Sequence, residues 1–205
     1  MIVLAFDTAT PSTVVAVGLG DGRVAAARHD PGPGGRPEHG SRLLAYVDGV
    51  MREAGIGWSD VDRIAAGAGP GGFTGLRLGI ATARALAQAS RIELATVSTL
   101  EALAVGDALP VIDARRREVF TLLDGPVAIA PADLAAHADG RLAVGDGAVR
   151  YRDVLAGARI PPDHDPRHLV QPARLCELAA LAVPVERDAV LPHYIRDPDA
   201  VPRQP

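Results

Sequence analysis

Three clusters of residues in this chain have the types and spacing to do chemistry. Gly67, Gly69 and Gly72 match the pattern G-x-G-x-x-G, and Glu93 lies at about the distance beyond at which a dinucleotide fold places its ribose-binding acid. Two features oppose that reading. Pro70 removes a backbone N–H from the loop that would cradle a pyrophosphate, and three strands and a helix precede a loop that should sit on the first β-α turn. What survives is a tight strand-to-helix turn whose helix amides can face a phosphate or another acidic group. Asp7-Thr8-Ala9-Thr10 closes the first apolar run. An acid followed by hydroxyls at a strand end can hold a magnesium–phosphate, or it can satisfy its own turn. A backbone that closes on phosphate wants glycine early in the turn, and here Thr8 and Ala9 follow the acid. Arg115-Arg116-Arg117 forms a basic cluster in a hairpin, either a solvated turn or a contact for an acidic partner.

Other chemistries lack their residues. His39 is the only histidine near a helix start. His29, His137, His164, His168 and His193 are scattered through loops and tail, with no H-E-x-x-H to put a metal pair on one helix face. Ser12 and Ser98 have no neighbouring His–acid arrangement. All 21 basic residues are arginine, which excludes a Walker lysine, a Schiff base and a lysine general base. The single cysteine, Cys176, excludes a disulfide framework and a multi-cysteine metal site. A net charge of −4 and an aromatic content of 3% disfavour autonomous nucleic-acid binding and base stacking. A nucleic acid would therefore be served through another subunit. At 205 residues and 48% hydrophobic, the chain is one large domain or two small ones with a proper core. No apolar run reaches bilayer-spanning length and the N-terminus lacks a basic leader region, so a cytoplasmic protein is expected.

The elements that must position these residues follow from patterning. Ile2–Phe6, Thr13–Leu19 and Arg23–Arg28 read as three strands, with Asp21-Gly22 as a hairpin signal. Pro31–Pro37 is a loop. Leu43, Val47, Val50 and Ala54 recur at helical spacing over Glu38–Ala54, widened by Leu44 and Met51, and Gly55 ends the helix. A strand over Arg63–Ala68 leads into a second helix, Gly75–Ala89, whose Gly75, Gly79, Ala83 and Ala87 form a small-residue stripe. That stripe suits either close approach of another helix or tight packing on the chain's own sheet. Leu94–Val97 is a strand, and Ser98 N-caps the next helix with Glu101 as its capping-box partner. At Pro110 the order restarts with Val111–Asp113 and Glu118–Leu123. Helices over Pro131–Ala138, Val149–Leu155 and Ala173–Leu181 and a loop-like tail follow. The order predicts an α/β chain with a mixed sheet in place of a doubly wound parallel one.

Asp7-Thr8-Ala9-Thr10, Glu38-His39, the run Gly69-Pro70-Gly71-Gly72-Phe73-Thr74-Gly75-Leu76-Arg77-Leu78-Gly79, Val97-Ser98-Thr99-Leu100, Ile112–Arg115 with Glu118-Val119-Phe120, and Pro192–Arg196 together resemble the TsaB (YeaZ) family. The match is dense over residues 1–123. It departs at Gly72, where the family usually has serine. The resemblance implies an actin-like (RNase H-like) fold of two related lobes, each a mixed sheet flanked by helices. The second is reduced: residues 1–107 and 108–190, with a tail over 191–205. It also implies a non-catalytic subunit of the machinery that places threonylcarbamoyl on N6 of adenosine 37 in ANN-decoding tRNAs. Its partners would be the catalytic paralogue TsaD and the ATPase TsaE, with tRNA reached through the complex and a homodimer possible in isolation.

The catalytic paralogue carries a metal-binding H-x-x-x-H where this chain has Thr99 and Leu103, which cannot replace two imidazoles. No cofactor of its own is expected, with ATP and metal on the partners. The resemblance places the dimer interface on the two long helices, over His39, Leu43, Leu44, Val47, Val50, Met51, Leu76, Gly79, Ile80, Ala83 and Ala87. Asp7, Thr8, Gly69, Gly71 and Asp113 are the remnant of a nucleotide site. The alternative is a stand-alone ATP-dependent kinase or ATPase using Asp7 and Asp113; a peptidase-like label attached to the wider family finds no nucleophile or metal set. Phosphate contacts dominate nucleic-acid affinity, so the lone chain is expected to bind tRNA weakly. Electrophoretic mobility shift of tRNA with the isolated protein checks this, and tight, salt-sensitive binding would contradict it.

Overall fold

The computed structural model describes residues 1–32 and 35–195. Its first sheet is built from β1 (Val3–Asp7), β2 (Thr13–Gly18), β3 (Val24–His29), β4 (Arg63–Gly67) and β5 (Glu93–Val97). The order is β3-β2-β1-β4-β5, with an antiparallel meander on one side and parallel pairs on the other. Asp21-Gly22 turns the β2–β3 hairpin as its sequence predicts. The central strand β1 is buried along its whole length, the mark of a strand covered on both faces.

One face takes the two long helices, α1 (His39–Ala54) and α2 (Phe73–Ser90). Leu4, Phe6, Val15, Val17 and Ile64 meet Leu43, Val47, Val50, Met51, Ile80, Ala83 and Ala87 there. The opposite face, with Val3, Ala5, Val14 and Ala16, is covered by α6 (Pro172–Leu181) through Leu175, Cys176 and Ala179. Arg63 holds this cover in place. Its nearly buried guanidinium donates to the carbonyls of Ala179, Ala180 and Ala182 at the end of α6, where a cation meets the helix dipole, and to Glu93.

The second sheet repeats the first with one strand fewer. β6 (Leu109–Asp113), β7 (Val119–Leu122), β8 (Pro126–Ile129) and β9 (Ala143–Val144) lie in the order β8-β7-β6-β9, again a meander followed by a parallel pair. Helices α4 (Pro131–Ala138) and α5 (Asp146–Arg150) follow the positions that α1 and α2 take in the first lobe. The short helix α3 (Thr99–Leu103) sits between the lobes, with Leu100 and Leu103 packed on Ile112 and Phe120. The duplicated mixed sheets make the actin-like (RNase H-like) architecture.

Three expectations change. The division at 108–190 fails because α6 belongs to the first lobe: its apolar side needs the uncovered face of the first sheet, so the chain leaves that lobe after α3 and returns at Val170. The helix expected over Val149–Leu155 starts and ends earlier, at Asp146–Arg150, and gives way to turns. The described part of the tail, 191–195, is anchored in place of looping free. His193 donates its N–H to the Ala68 carbonyl at 2.7 Å, and Tyr194 stacks on Phe73 at 5.8 Å and accepts a hydrogen bond from Arg77. Arg196 and the remainder of the tail lie outside the described residues, as do Pro33 and Gly34 of the loop.

The small-residue stripe of α2 faces inward. A Cβ on Gly79 would lie 2.4 Å from Thr8 Oγ1, and that hydroxyl is pinned by donating to the Gly75 carbonyl at 2.8 Å. Gly49, on α1, has nothing within 4 Å of its would-be Cβ. The two glycines therefore respond oppositely to alanine. Gly49→Ala should stabilise by about 0.5–1 kcal/mol from helix propensity, whereas Gly79→Ala should destabilise by about 1–3 kcal/mol from overpacking. Urea denaturation of the two variants beside the parent measures both signs.

Candidate functional site

The first strand ends in a buried carboxylate. Asp7 is 1% exposed; its Oδ1 accepts the Ala9 N–H at 2.8 Å, its Oδ2 accepts the Thr99 hydroxyl at 2.6 Å, and the Thr10 amide adds a third donor. Burial pushes the Asp7 carboxyl above the usual range, and these donors pull it back. Thr99 in turn accepts the Gly69 N–H at 3.2 Å and donates its own N–H to the Gly69 carbonyl. Asp7 thus ties the β1–β2 turn to the glycine loop through the first residue of α3.

The glycines make room for protein. A Cβ on Gly67 would fall 1.8 Å from Asp7 Oδ2, one on Gly71 2.2 Å from the Ala9 carbonyl oxygen, and one on Gly75 2.0 Å from that of Thr8. Gly72 donates its N–H to the Ala9 carbonyl at 2.7 Å. Of the expected nucleotide remnant, Thr8, Gly71 and Asp113 line one cleft, whereas Asp7 and Gly69 are buried and are not among its lining residues. Asp7 and Gly69 are joined through Thr99, and Asp113 stands on the second lobe at the end of β6.

Between the lobes lies a cleft of about 620 Å³, lined by Thr8–Pro11, the start of α1 with Pro37, His39 and Gly40, the start of α2 from Gly71 to Gly75, and Ile112–Arg116, Phe120 and Asp146 of the second lobe. On the second-lobe wall, Asp113 has Arg115 at 3.2 Å and Arg150 at 3.7 Å, and its N–H donates to Asp146 at 3.1 Å. Burial pushes the Asp146 carboxyl up to about 6, with the Asp113 charge adding to the shift. Arg115, Arg116 and Arg117 all adopt left-handed backbone, with φ of 61°, 53° and 64°. Such a run is costly for side-chain-bearing residues, and it holds the basic turn against the cleft. The spacing of residues gave no sign of Asp146, because only the crossover from β6 to β9 brings it beside Asp113.

His39 is 7% exposed, with Nδ1 2.8 Å from Thr13 Oγ1. Burial and the nearby His29 lower its pKa, which keeps the ring neutral at pH 7. The other expected interface residues, Leu43, Val47, Val50, Met51, Leu76, Gly79, Ile80, Ala83 and Ala87, are buried under the sheet of their own chain. Their helical spacing marks the side of each helix that is turned into its own chain. Leu44 alone of the set is exposed, at 59%. It shares the outer side of α1 with Gly40, whose would-be Cβ lies 3.7 Å from Leu78 of α2.

A family model described as TsaD, tRNA N6-adenosine threonylcarbamoyltransferase, matches residues 35–148, over half of the chain. The chain belongs to the TsaD/TsaB (YeaZ) family. An uncharacterised protein of Mycobacterium tuberculosis is 34% identical over 98% of this chain and 94% of its own length. The tRNA threonylcarbamoyladenosine biosynthesis protein TsaB of Escherichia coli is 38% identical over 58% of this chain and 53% of its own. A solved structure of YeaZ from Pseudomonas aeruginosa superposes with a TM-score of 0.76 at 28% identity, covering 94% of this chain and 99% of that one. Among the described residues no helix is long and apolar enough to cross a membrane, and no group of three or more His, Cys, Asp or Glu is placed to hold a metal ion.

The Asp146 shift has a sign that can be measured. The folded chain takes up this proton below about pH 6, whereas the unfolded chain waits until near 3.8. The group's contribution to stability therefore grows as pH falls from 6 toward 4 and is lost as pH rises through 6. Asp146→Asn should remove up to roughly 1 kcal/mol per pH unit of that slope. Urea unfolding of parent and variant at pH 7 and pH 5 gives the comparison.

Proposed function

We propose that this protein is the non-catalytic subunit of a complex that forms threonylcarbamoyladenosine at position 37 of ANN-decoding tRNAs. It docks and activates a TsaD-type paralogue, with a TsaE-type ATPase joining the pair and tRNA engaged by the assembly. The observation that carries this reading is Thr99. It stands where the resemblance expects the first metal-binding histidine of the catalytic paralogue, and its hydroxyl is committed to Asp7. Leu103, at the second such place, is in the core between the lobes. The competing reading, a stand-alone kinase or ATPase, needs Asp7 free to meet a metal–phosphate. Three donors and the Gly67 backbone occupy that carboxylate instead.

Docking is assigned to the outer seam of α1 and α2, where Gly40, Leu44, Leu78 and Ala81 present small and apolar groups. In isolation the same seam is open to a second copy. A charge at the centre of a desolvated contact is expensive because it is left unpaired. Leu44→Glu and Ala81→Glu should therefore keep the parent's melting temperature and weaken association with co-purified TsaD by roughly tenfold or more. Charges at Met51 or Ala83 would instead strike the core, since these are 5% and 0% exposed. Two results would overturn the proposal: wild-type affinity of both folded seam variants for TsaD, or magnesium-dependent ATP turnover by the lone chain that a folded Asp7→Ala variant loses.

A further inference from the structure

The segment after α6 runs along the first lobe and ends against the second. Val185 donates its N–H to the Leu94 carbonyl on β5, and Arg84 of α2 pairs with Asp188 at 2.5 Å. Val190, 1% exposed, joins the core under α1 and α2. From Leu191 onward the chain lies at the surface, held by the His193 N–H on the Ala68 carbonyl. Two neighbouring side chains then take hold in different places. Tyr194 stacks on Phe73 and accepts a hydrogen bond from Arg77 at 2.9 Å, both in the first turns of α2. Ile195 is partly buried against the cluster that joins α3 to the second sheet, which holds Leu100, Ile112, Ala114 and Phe120.

These holds bear on the two walls of the cleft. Phe73 lines it from the first lobe, and Ile112, Ala114 and Phe120 line it from the second. Consecutive Cα atoms are about 3.8 Å apart, so the walls have little room to part while Tyr194 and Ile195 both keep their contacts. The chain otherwise crosses between the lobes only twice among the described residues. One crossing is 104–108, where Gly106 is exposed and has nothing within 4 Å of its would-be Cβ. The other is Leu169, between His168 on the Gly145 N–H and Val170 in the first lobe. A few loop residues of this kind are enough to absorb a hinge rotation. The contacts of 191–195 are also of the kind that open locally: a surface stack, one side-chain hydrogen bond and a partly buried isoleucine.

We propose that residues 191–195 are a detachable clasp on the cleft. Engaged, Tyr194 and Ile195 hold the two walls at one separation. Released, they let the second lobe swing about the two crossings, while Val190 and α6 keep the first lobe closed. The clasp belongs to the lone chain and does not depend on the docking seam, so its test needs no partner.

The test is the distance between spin labels on Glu53→Cys, in α1, and Asp133→Cys, in α4, measured by pulsed electron paramagnetic resonance on the full-length chain. Both positions are exposed, and the native Cys176 is buried. The labelled parent should show one dominant distance. Tyr194→Ala and Ile195→Ala should each raise a second population at a different distance, roughly three- to tenfold, as the loss of one aromatic or apolar hold implies. Leu191→Ala lies in the same segment but is 66% exposed, and it should leave the parent's distribution unchanged. Tyr194→Ala decides the matter alone if Ile195→Ala fails to fold, because the Tyr194 ring is at the surface. The parent's distribution in the folded Tyr194→Ala variant overturns the proposal. An equal response to Leu191→Ala, or a parent already spread over both distances, overturns it as well.

Discussion

A carboxylate at the end of a central strand is the contact on which the first lobe turns. Burying an ionised acid costs several kcal/mol unless donors surround it. Asp7 meets that cost with donors from two segments far apart in the chain: the amides of its own turn, and the hydroxyl of Thr99 at the head of α3. Because Thr99 also exchanges two hydrogen bonds with Gly69, the same few atoms fix where the glycine loop ends and where α2 begins. Gly67, Gly71, Gly75 and Gly79 are small so that this turn, its carbonyls and the Thr8 side chain can fit between the loop and α2. Asp7 is a structural tie between the β1–β2 turn and the head of α3.

That tie separates two surfaces with different prospects. On the outside, α1 and α2 keep their large apolar residues under the sheet and show a seam of small ones with Leu44 in it. On the inside, the same helices bring their N-terminal ends to the cleft between the lobes, with His39 and Gly75 at the first turns of each. One pair of helices thus borders both the exposed outer seam and the cleft between the lobes. The second lobe contributes only to the latter, through its strained arginine turn and the paired Asp113 and Asp146.

Much of this was legible in the residues, and the failures have physical causes. The meander, its Asp-Gly turn and the glycine loop before α2 were readable because turn chemistry is local. The helical stripe over Leu43, Val47 and Val50 was equally plain, but periodicity reports only that a face is apolar. Whether that face meets a sheet or a partner depends on packing, and here it meets the sheet. The glycine loop misled in the same way: glycine marks a close approach by something, and only the fold shows that the visitor is the Ala9 carbonyl. Asp146 was invisible because it reaches Asp113 across a parallel crossover. The place of α6 was missed because its sequence is helical wherever it packs.

The return of α6 to the first sheet has a consequence for the order of events at the ribosome. Val3, Ala5, Val14 and Ala16 are made long before their cover, Leu175, Cys176 and Ala179. The intervening second lobe must emerge before that sheet face can close. Its own compact folding then shortens the gap between Leu103 and Val170, lowering the entropy cost of closure. During synthesis the nascent chain therefore carries a naked apolar sheet whose lifetime is set by translation and folding of a different lobe. Such a surface is one that chaperones hold and aggregates recruit.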